Sequence, residues 1–292
     1  MSLVPAATEI ACALGAGDDL VAVTHDCDFP AAVRALPRVT RSAIPVGAGS
    51  RAIDEAVRDA AQRGESTFHL DTGALADARP DVLLGQTLCT VCAVTVAQLP
   101  ATLTPAPDVV PLDGGSLEGI FTDIARVGTA LGREREASAL VAGLRARIAE
   151  VVRRVADAPR PRIACLEWLD PLFNAGHWVP EQVMLAGGRD VLGQAGVPSI
   201  DIDIERLVDA DPDYALVMPC GFDVERALME SQALREDARW KALRAVREGR
   251  AYALDGNAYF SRPGPRVVDG IELLASIFHP DRVSSDIRRI PL

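Results

Sequence analysis

The sequence predicts an α/β protein of two lobes, each with a central parallel sheet, joined by one long α-helix. Three observations carry this. Short apolar runs alternate with helical stretches, the pattern of parallel strands linked by crossover helices. A segment of the first half recurs in the second. Between the halves lies one unbroken stretch of helical periodicity.

Taken in order, buried strands are expected at "SLVP", "LVAVTHD", "VLLGQ", "RIACLEW" and "YALVMPCGF". Several end in polar or special residues where a strand's carboxyl end would lie. The repeat links "LADARPDVLL" from Leu75 with "LVDADPDYAL" from Leu207, sharing Leu, Asp, Ala, Pro, Asp and Leu at one shift. In both, a short helix should stop before the proline, which pushes the preceding residue out of the right-handed helical region, and an Asp should lead into a strand. A weaker echo links "EIACALGAGDDL" from Glu9 with "EQVMLAGGRDVL" from Glu181. The two shifts differ, so the halves read as a divergent pair and not as a tandem array.

In the middle, Ser116 followed by Glu118 is a helix-start signal and Gly132 marks a break. From about Arg133 to Asp157, Ala137, Leu140, Val141, Leu144, Ile148, Val151, Val152 and Val155 keep helical spacing. About 24 residues at 1.5 Å each make a rod of roughly 36 Å, ended by "APRPR". The expected division is therefore 1–115 for an N-terminal lobe, 116–158 for the connecting segment and 159–292 for a C-terminal lobe. The alternative is a surface helix on one large domain.

The 292 residues suffice for a large core, and 49% hydrophobic with 24% charged residues is ordinary for a globular chain. A net charge of −11 repels a phosphate backbone, which argues against nucleic acid as a partner. No apolar run approaches the ~20 residues that span a bilayer. The opening "MSLVPAATEIACALGAG" has no Lys or Arg before its apolar residues, and Glu9 interrupts them, unlike a secretory signal. Six Cys are too sparse for a disulfide scaffold. The expectation is a cytoplasmic protein, or a periplasmic or extracytoplasmic one if a signal has been removed.

In open parallel sheets, ligands bind beyond the strands' carboxyl ends, and two facing lobes would make a cleft there. Aromatic residues are only 4% of the chain, yet Phe29, Trp168, Trp178, Phe222, Tyr259 and Phe260 all fall in segments expected to line that cleft. This favours a bulky, partly flat ligand. Cys27, Cys89, Cys92 and Cys220 fall there too, with His25 and His177, and they form the candidate metal-ligating set. The C-x₂-C of "QTLCTVCAV" suits cleft-lining thiols, a metal contact or a redox pair. Cys12 and Cys165 read as core residues, His69 and His279 as surface residues. His177 precedes a helix start at Pro180, so capping or packing competes with a ligand role. Glu167 directly follows a strand; it is either a functional carboxylate or a partner for Arg262 or Arg266. Those arginines flank two prolines and suit an anionic ligand group or salt bridges closing the lobe. The common nucleotide, hydrolase and zincin motifs are absent.

Together "SLVPAATEIACALGAGDDLVAVTHDCDFP", the "RPDVLLGQ" strand, the central helix and "AYALDGNAYFSRPGPRVVDGIELLA" resemble the helical-backbone substrate-binding proteins of ABC importers. That class carries cobalamin, haem, siderophores and metal ions, and the resemblance is nearest to its cobalamin-binding branch. It runs from Ser2 to about Pro280. It implies a class III periplasmic-binding-protein-like fold that holds its ligand between two lobes with little hinge motion. It sets Ala6 to Thr8, Phe29, Trp168, Trp178, Phe222 and Phe260 against the ligand. It implies an ABC permease as partner, docked through an exposed acidic residue on each lobe. The N-lobe stretch expected to supply one, "VTVAQLP", has no acid.

The expected function is binding of a metal-containing cofactor or complex: a cobalamin-like corrinoid, haem or a siderophore-type complex. His25, His177 or a cleft Cys would give an axial contact. The alternative is a cytoplasmic enzyme built on the same fold. It would use Cys27, Cys89, Cys92 or Cys220 as thiolate or as ligand to a directly bound transition metal, zinc or iron, with Glu167 as acid or base. A third reading is an importer-linked receptor whose signal has been removed.

Overall fold

The computed structural model describes residues 1–87 and 106–292. Cys89, Cys92 and the "VTVAQLP" stretch lie outside the described residues. The chain divides into two compact units. One comprises Met1–Ala48 with Glu55–Gly143, the other Gly49–Asp54 with Leu144–Leu292.

In the first unit the described elements run α1 (Pro5–Ala13), β1 (Thr40–Ser42), α2 (Ser50–Arg63), β2 (Phe68–Leu70), α3 (Thr72–Ala78), β3 (Val82–Gln86), β4 (Asp108–Leu112) and α4 (Leu117–Ala130). The start of α2 belongs to the second unit. Strands β3 and β4 pair in parallel. The N-terminus runs along the other side of β3: Leu3 N donates to Leu84 O and Leu84 N to Met1 O. Backbone pairing continues from Ser2 N to Ala22 O and from Val39 N to Val23 O, and then into the antiparallel pair β1–β2. Two expected strands, "SLVP" and "LVAVTHD", are thus short bridged segments. Pro5 starts α1 at once, and the chain turns at Thr24. Leu3, Val39, Leu75 and Leu83 form the core of this layer. Helix α1 packs on α4, where Ile10, Ile120 and Ile124 are fully buried.

The central helix, α5 (Glu134–Val155), follows Gly132, whose φ of +62° breaks it from α4. Its first part belongs to the first unit and its remainder, from Leu144, to the second. Ala137, Leu144, Val151 and Val155 of the expected stripe are buried, while Val152 faces solvent.

The second unit continues with β5 (Arg162–Leu169), β6 (Leu172–Asn174), α6 (Val179–Leu185), β7 (Arg189–Asp190), α7 (Ile204–Asp209), β8 (Tyr214–Val217), α8 (Val224–Glu230), α9 (Gln232–Glu236), α10 (Ala238–Ala242), α11 (Arg244–Arg247), β9 (Ala251–Ala253), α12 (Gly256–Tyr259), α13 (Val267–Phe278) and β10 (Ile290–Pro291). The sheet order is β10-β9-β8-β5-β6, with β7 also on β5. Strands β7, β5, β8 and β9 are parallel; β6 and β10 add antiparallel edges. Ile163 to Leu166 are all fully buried, as a central parallel strand covered on both faces requires. One face packs on Leu207 and Trp240. On the other, α13 crosses α6 so closely that a Cβ on Gly270 would lie 2.8 Å from Gln182 Nε2.

Both sequence echoes have structural counterparts. In the first, Leu75 of α3 and Leu207 of α7 are fully buried, and the residues before the two prolines, Arg79 (φ 41°) and Asp211 (φ 35°), leave the right-handed region as the sequence requires. In the second, α1 and α6 end alike. Ala16 N bonds Ala11 O and Gly188 N bonds Val183 O, each around a glycine of positive φ, Gly15 and Gly187. A further expectation fails. His279 is 5% exposed, not a surface residue, because it ends α13 with its ring against Phe278 and Nε2 3.4 Å from Gly187 O.

Candidate ligand-binding site

In the second unit, the parallel run of β5, β8 and β9 brings three carboxyl ends to one edge. Cys220 N bonds Glu167 O, Leu254 N bonds Val217 O and Asn257 N bonds Phe222 O, so the loops after these strands form one layer. Gly256 permits this packing, since a Cβ there would lie 2.2 Å from Pro219 O. Trp168 and Phe222 meet on this layer, ring centroids 5.3 Å apart. The Arg226 guanidinium lies 3.8 Å over the buried Phe222 ring. Nearby in sequence, Tyr259 and Phe260 pack edge to face, Arg266 lies 5.9 Å over Tyr259, and Arg262 is buried.

Residues 49–54 complete this surface, a contribution with no signal in the local sequence. Trp168 Nε1 donates to Ser50 O at 3.2 Å. Ser50 N and Oγ both donate to Glu230 Oε2, and Arg51 pairs with Asp170 at 2.8 Å.

Glu167 holds the neighbouring loop in place. Its Oε2 accepts from Gly176 N at 3.1 Å, and Ser199 adds a side-chain hydrogen bond. Burial nevertheless pushes its carboxyl above the usual range. Gly176 cannot carry a side chain, because a Cβ would sit 2.3 Å from Ser199 N. The next residue, His177, has φ +52°, a left-handed conformation that costs a β-carbon residue roughly 1–2 kcal/mol. His177 N donates to Val197 O and its carbonyl accepts from Gly196 N, each at 2.8 Å. Its ring packs 5.9 Å from Trp178, and burial lowers its pKa, which keeps the imidazole neutral near pH 7. Trp178 is buried at the start of α6, and its Nε1 has no hydrogen-bond partner among the described residues. Ser199 and Val197 were not singled out from sequence.

In the first unit, Thr8 and Cys27 come together. Thr8 Oγ1 lies 2.8 Å from Ser2 Oγ and 3.0 Å from Cys27 Sγ, and Thr24 Oγ1 lies 3.2 Å from the same sulfur. Thr8 and Cys27 are both buried. Arg38 fixes the loop by donating to the carbonyls of Thr24 and Cys27. His25 Nδ1 is 2.7 Å from Thr40 Oγ1 and its Nε2 3.3 Å from Asp26, so both ring nitrogens are engaged. Phe29 is 46% exposed.

Of the six candidate metal ligands, His25 and Cys27 lie on one loop of the first unit, while His177 and Cys220 lie on separate loops of the second. Among the described residues, no group of three or more His, Cys, Asp or Glu is placed to hold a metal ion. Cys12, Cys27 and Cys165 are free thiols.

The model of the periplasmic binding protein family matches residues 1–258. An uncharacterized ABC transporter substrate-binding lipoprotein of Bacillus subtilis (strain 168), YvrC, is 22% identical over 289 residues, 96% of this chain and 80% of that one. Two solved structures share the fold. A periplasmic heme-binding protein from Pseudomonas aeruginosa superposes with a TM-score of 0.69 at 21% identity, covering 100% of this chain and 93% of that one. The periplasmic vitamin B12-binding protein BtuF of Vibrio cholerae does so with a TM-score of 0.67 at 22% identity, covering 95% and 94%. No described helix is long and apolar enough to cross a membrane. Nothing in these comparisons supports the cytoplasmic placement expected from the sequence. The match across residues 1–258 and the fold together show that this chain belongs to the periplasmic binding protein family.

Proposed function

We propose that this chain is the extracytoplasmic substrate-binding component of an ABC importer and that it carries a metal-containing cofactor or complex of the cobalamin, haem or siderophore kind to its permease. The observation that carries the reading is the half-buried Trp168, backed by buried Phe222 at the carboxyl ends of the parallel strands, where a flat, partly apolar ligand gains contact area on the indole. Relatives of the same fold named for heme and vitamin B12 binding support it. In such a site Trp178, Tyr259, Phe260 and Arg262 of the second unit are further ligand contacts. No observation favours the enzyme alternative.

The test is a titration of the purified chain with hemin, hydroxocobalamin and a ferric hydroxamate, followed by tryptophan fluorescence and thermal unfolding. One class is expected to quench saturably and raise the Tm, since ligand at 100 times Kd stabilises by about 2.7 kcal/mol. Trp168→Ala should weaken that binding about tenfold or more. No response to any of the three would overturn the reading.

A further inference from the structure

We infer that Cys12 and Cys27 of the first unit are a disulfide-forming pair, which a disulfide-bearing oxidant closes into a bond between helix α1 and the loop after Thr24. This goes beyond the proposed function and does not depend on which ligand is carried.

Three observations bring the two sulfurs together. First, Thr8 and Cys12 lie four residues apart in α1, so they are neighbours on one helix face with β-carbons about 5–6 Å apart. The Cys27 sulfur is 3.0 Å from Thr8 Oγ1 and thus rests on the face that carries Cys12. A helical side chain leans back toward the preceding turn, which points Cys12 at Thr8. Second, Cys12 and Cys27 sense each other. After burial, the charge of Cys27 is the largest cause that raises the Cys12 thiol, ahead of Glu9 one turn away. The charges that act on Cys165, by contrast, are those of Asp190 and Glu167. Third, the loop that holds Cys27 is already ordered. Cys27 N donates to Thr24 O, Thr24 Oγ1 is 3.2 Å from the sulfur, and Arg38 donates to the carbonyls of Thr24 and Cys27. Closing the bond therefore orders little that folding has not ordered.

Exposure sets the sequence of steps. Cys12 is half-buried and Cys27 is 1% exposed, so the oxidant meets Cys12 first. The Cys12 thiolate attacks one sulfur of the oxidant's disulfide, releases one oxidant thiolate and leaves a mixed disulfide. The Cys27 thiolate then attacks the Cys12 sulfur and releases the other. Two cysteines are oxidised, one disulfide is reduced, and the two cysteine protons end on the two released thiols. Oxidants of this class belong to extracytoplasmic compartments. The bond closes the loop from residue 12 to residue 27, which restricts the unfolded chain and stabilises this unit.

The test takes the full chain, fully reduced, into a buffer of glutathione disulfide and glutathione at about pH 8.5, where an ordinary thiol is half ionised. It is then denatured in an alkylating reagent and mapped without reduction. Arg34 is the first Arg or Lys, so both cysteines share one tryptic peptide, and cleavage before Asp18 and Asp26 is needed to part them. The peptide ending at Gly17 should be recovered joined to the one beginning at Asp26. The oxidised chain should melt about 5 °C or more above the reduced one. Cys12→Ala should show neither the link nor the rise, and Cys27→Ala serves if that variant does not fold. Alkylated Cys27, glutathione left on Cys12, or a link from either to another cysteine overturns the pairing. A link that leaves the Tm unchanged overturns its part in stability.

Discussion

Gly176 donates its backbone N–H to the Glu167 carboxylate at 3.1 Å, joining the end of a central strand to the loop that carries His177. Removing the acceptor in Glu167→Ala leaves that N–H and the Ser199 hydroxyl without a buried partner. The expected cost is about 1–3 kcal/mol, read as a fall of several degrees in Tm. Glu167→Gln keeps an acceptor oxygen and should recover most of it. An alanine variant as stable as the parent would remove the carboxylate from this role.

Asp190 accepts from Leu192 N and Gly193 N through one oxygen, while its other oxygen is buried without a hydrogen-bond partner. Burial raises its pKa to about 6. The folded state therefore holds this proton more tightly than the unfolded chain. The contribution to stability is fully present below the unfolded value and is lost as pH rises through about 6. Urea unfolding between pH 4 and pH 7 should show Asp190→Asn gaining on the parent by up to about 3 kcal/mol. A constant difference across that range would contradict the assignment.

Native-state alkylation followed by peptide mapping should separate the described thiols. Cys27, buried against the hydroxyls of Thr8 and Thr24, and Cys165, fully buried with its pKa pushed up by burial, should be protected until the chain unfolds. Half-buried Cys12 and Cys220 should react before them. Early labelling of Cys27 would mean that its loop opens on its own.

Two glycines should respond in opposite directions to alanine. At Gly256 the new Cβ would lie 2.2 Å from Pro219 O and 2.5 Å from Met218 O, so Gly256→Ala should destabilise by at least 1–3 kcal/mol. Exposed Gly143, within α5, has nothing within 4 Å, and Gly143→Ala should stabilise by roughly 0.5–1 kcal/mol. Chemical denaturation of both variants checks the pair, and a neutral Gly256→Ala would contradict the close packing of these loops.

Much of the fold was legible because local rules govern it. Proline placed the ends of α3 and α7, apolar spacing gave α5, and continuous apolar runs gave β3, β5 and β8. The short segments at Ser2 and Val23 read as strands because composition does not reveal where a turn cuts them off. His279 looked exposed because nothing local shows that α13 ends against Gly187. The candidate site was legible by residue type: Trp168 and Phe222 were singled out as aromatics of the expected cleft segments and Glu167 as a carboxylate expected just after a strand, although Glu167 and Trp168 lie within β5. Their partners Ser50 and Ser199 were not, since each is ordinary in sequence and acquires its role only through contacts made far along the chain.

That distance has a consequence for how the second unit can be handled. Ser50 stands 118 positions before the tryptophan whose indole it accepts. A fragment starting at Leu144 would leave Trp168, Asp170 and Glu230 without their Ser50 and Arg51 partners. To study this half in isolation, the short piece from Gly49 to Asp54 must be supplied, grafted on or added as a peptide. Selection on this surface of the second half therefore also falls on codons in the first.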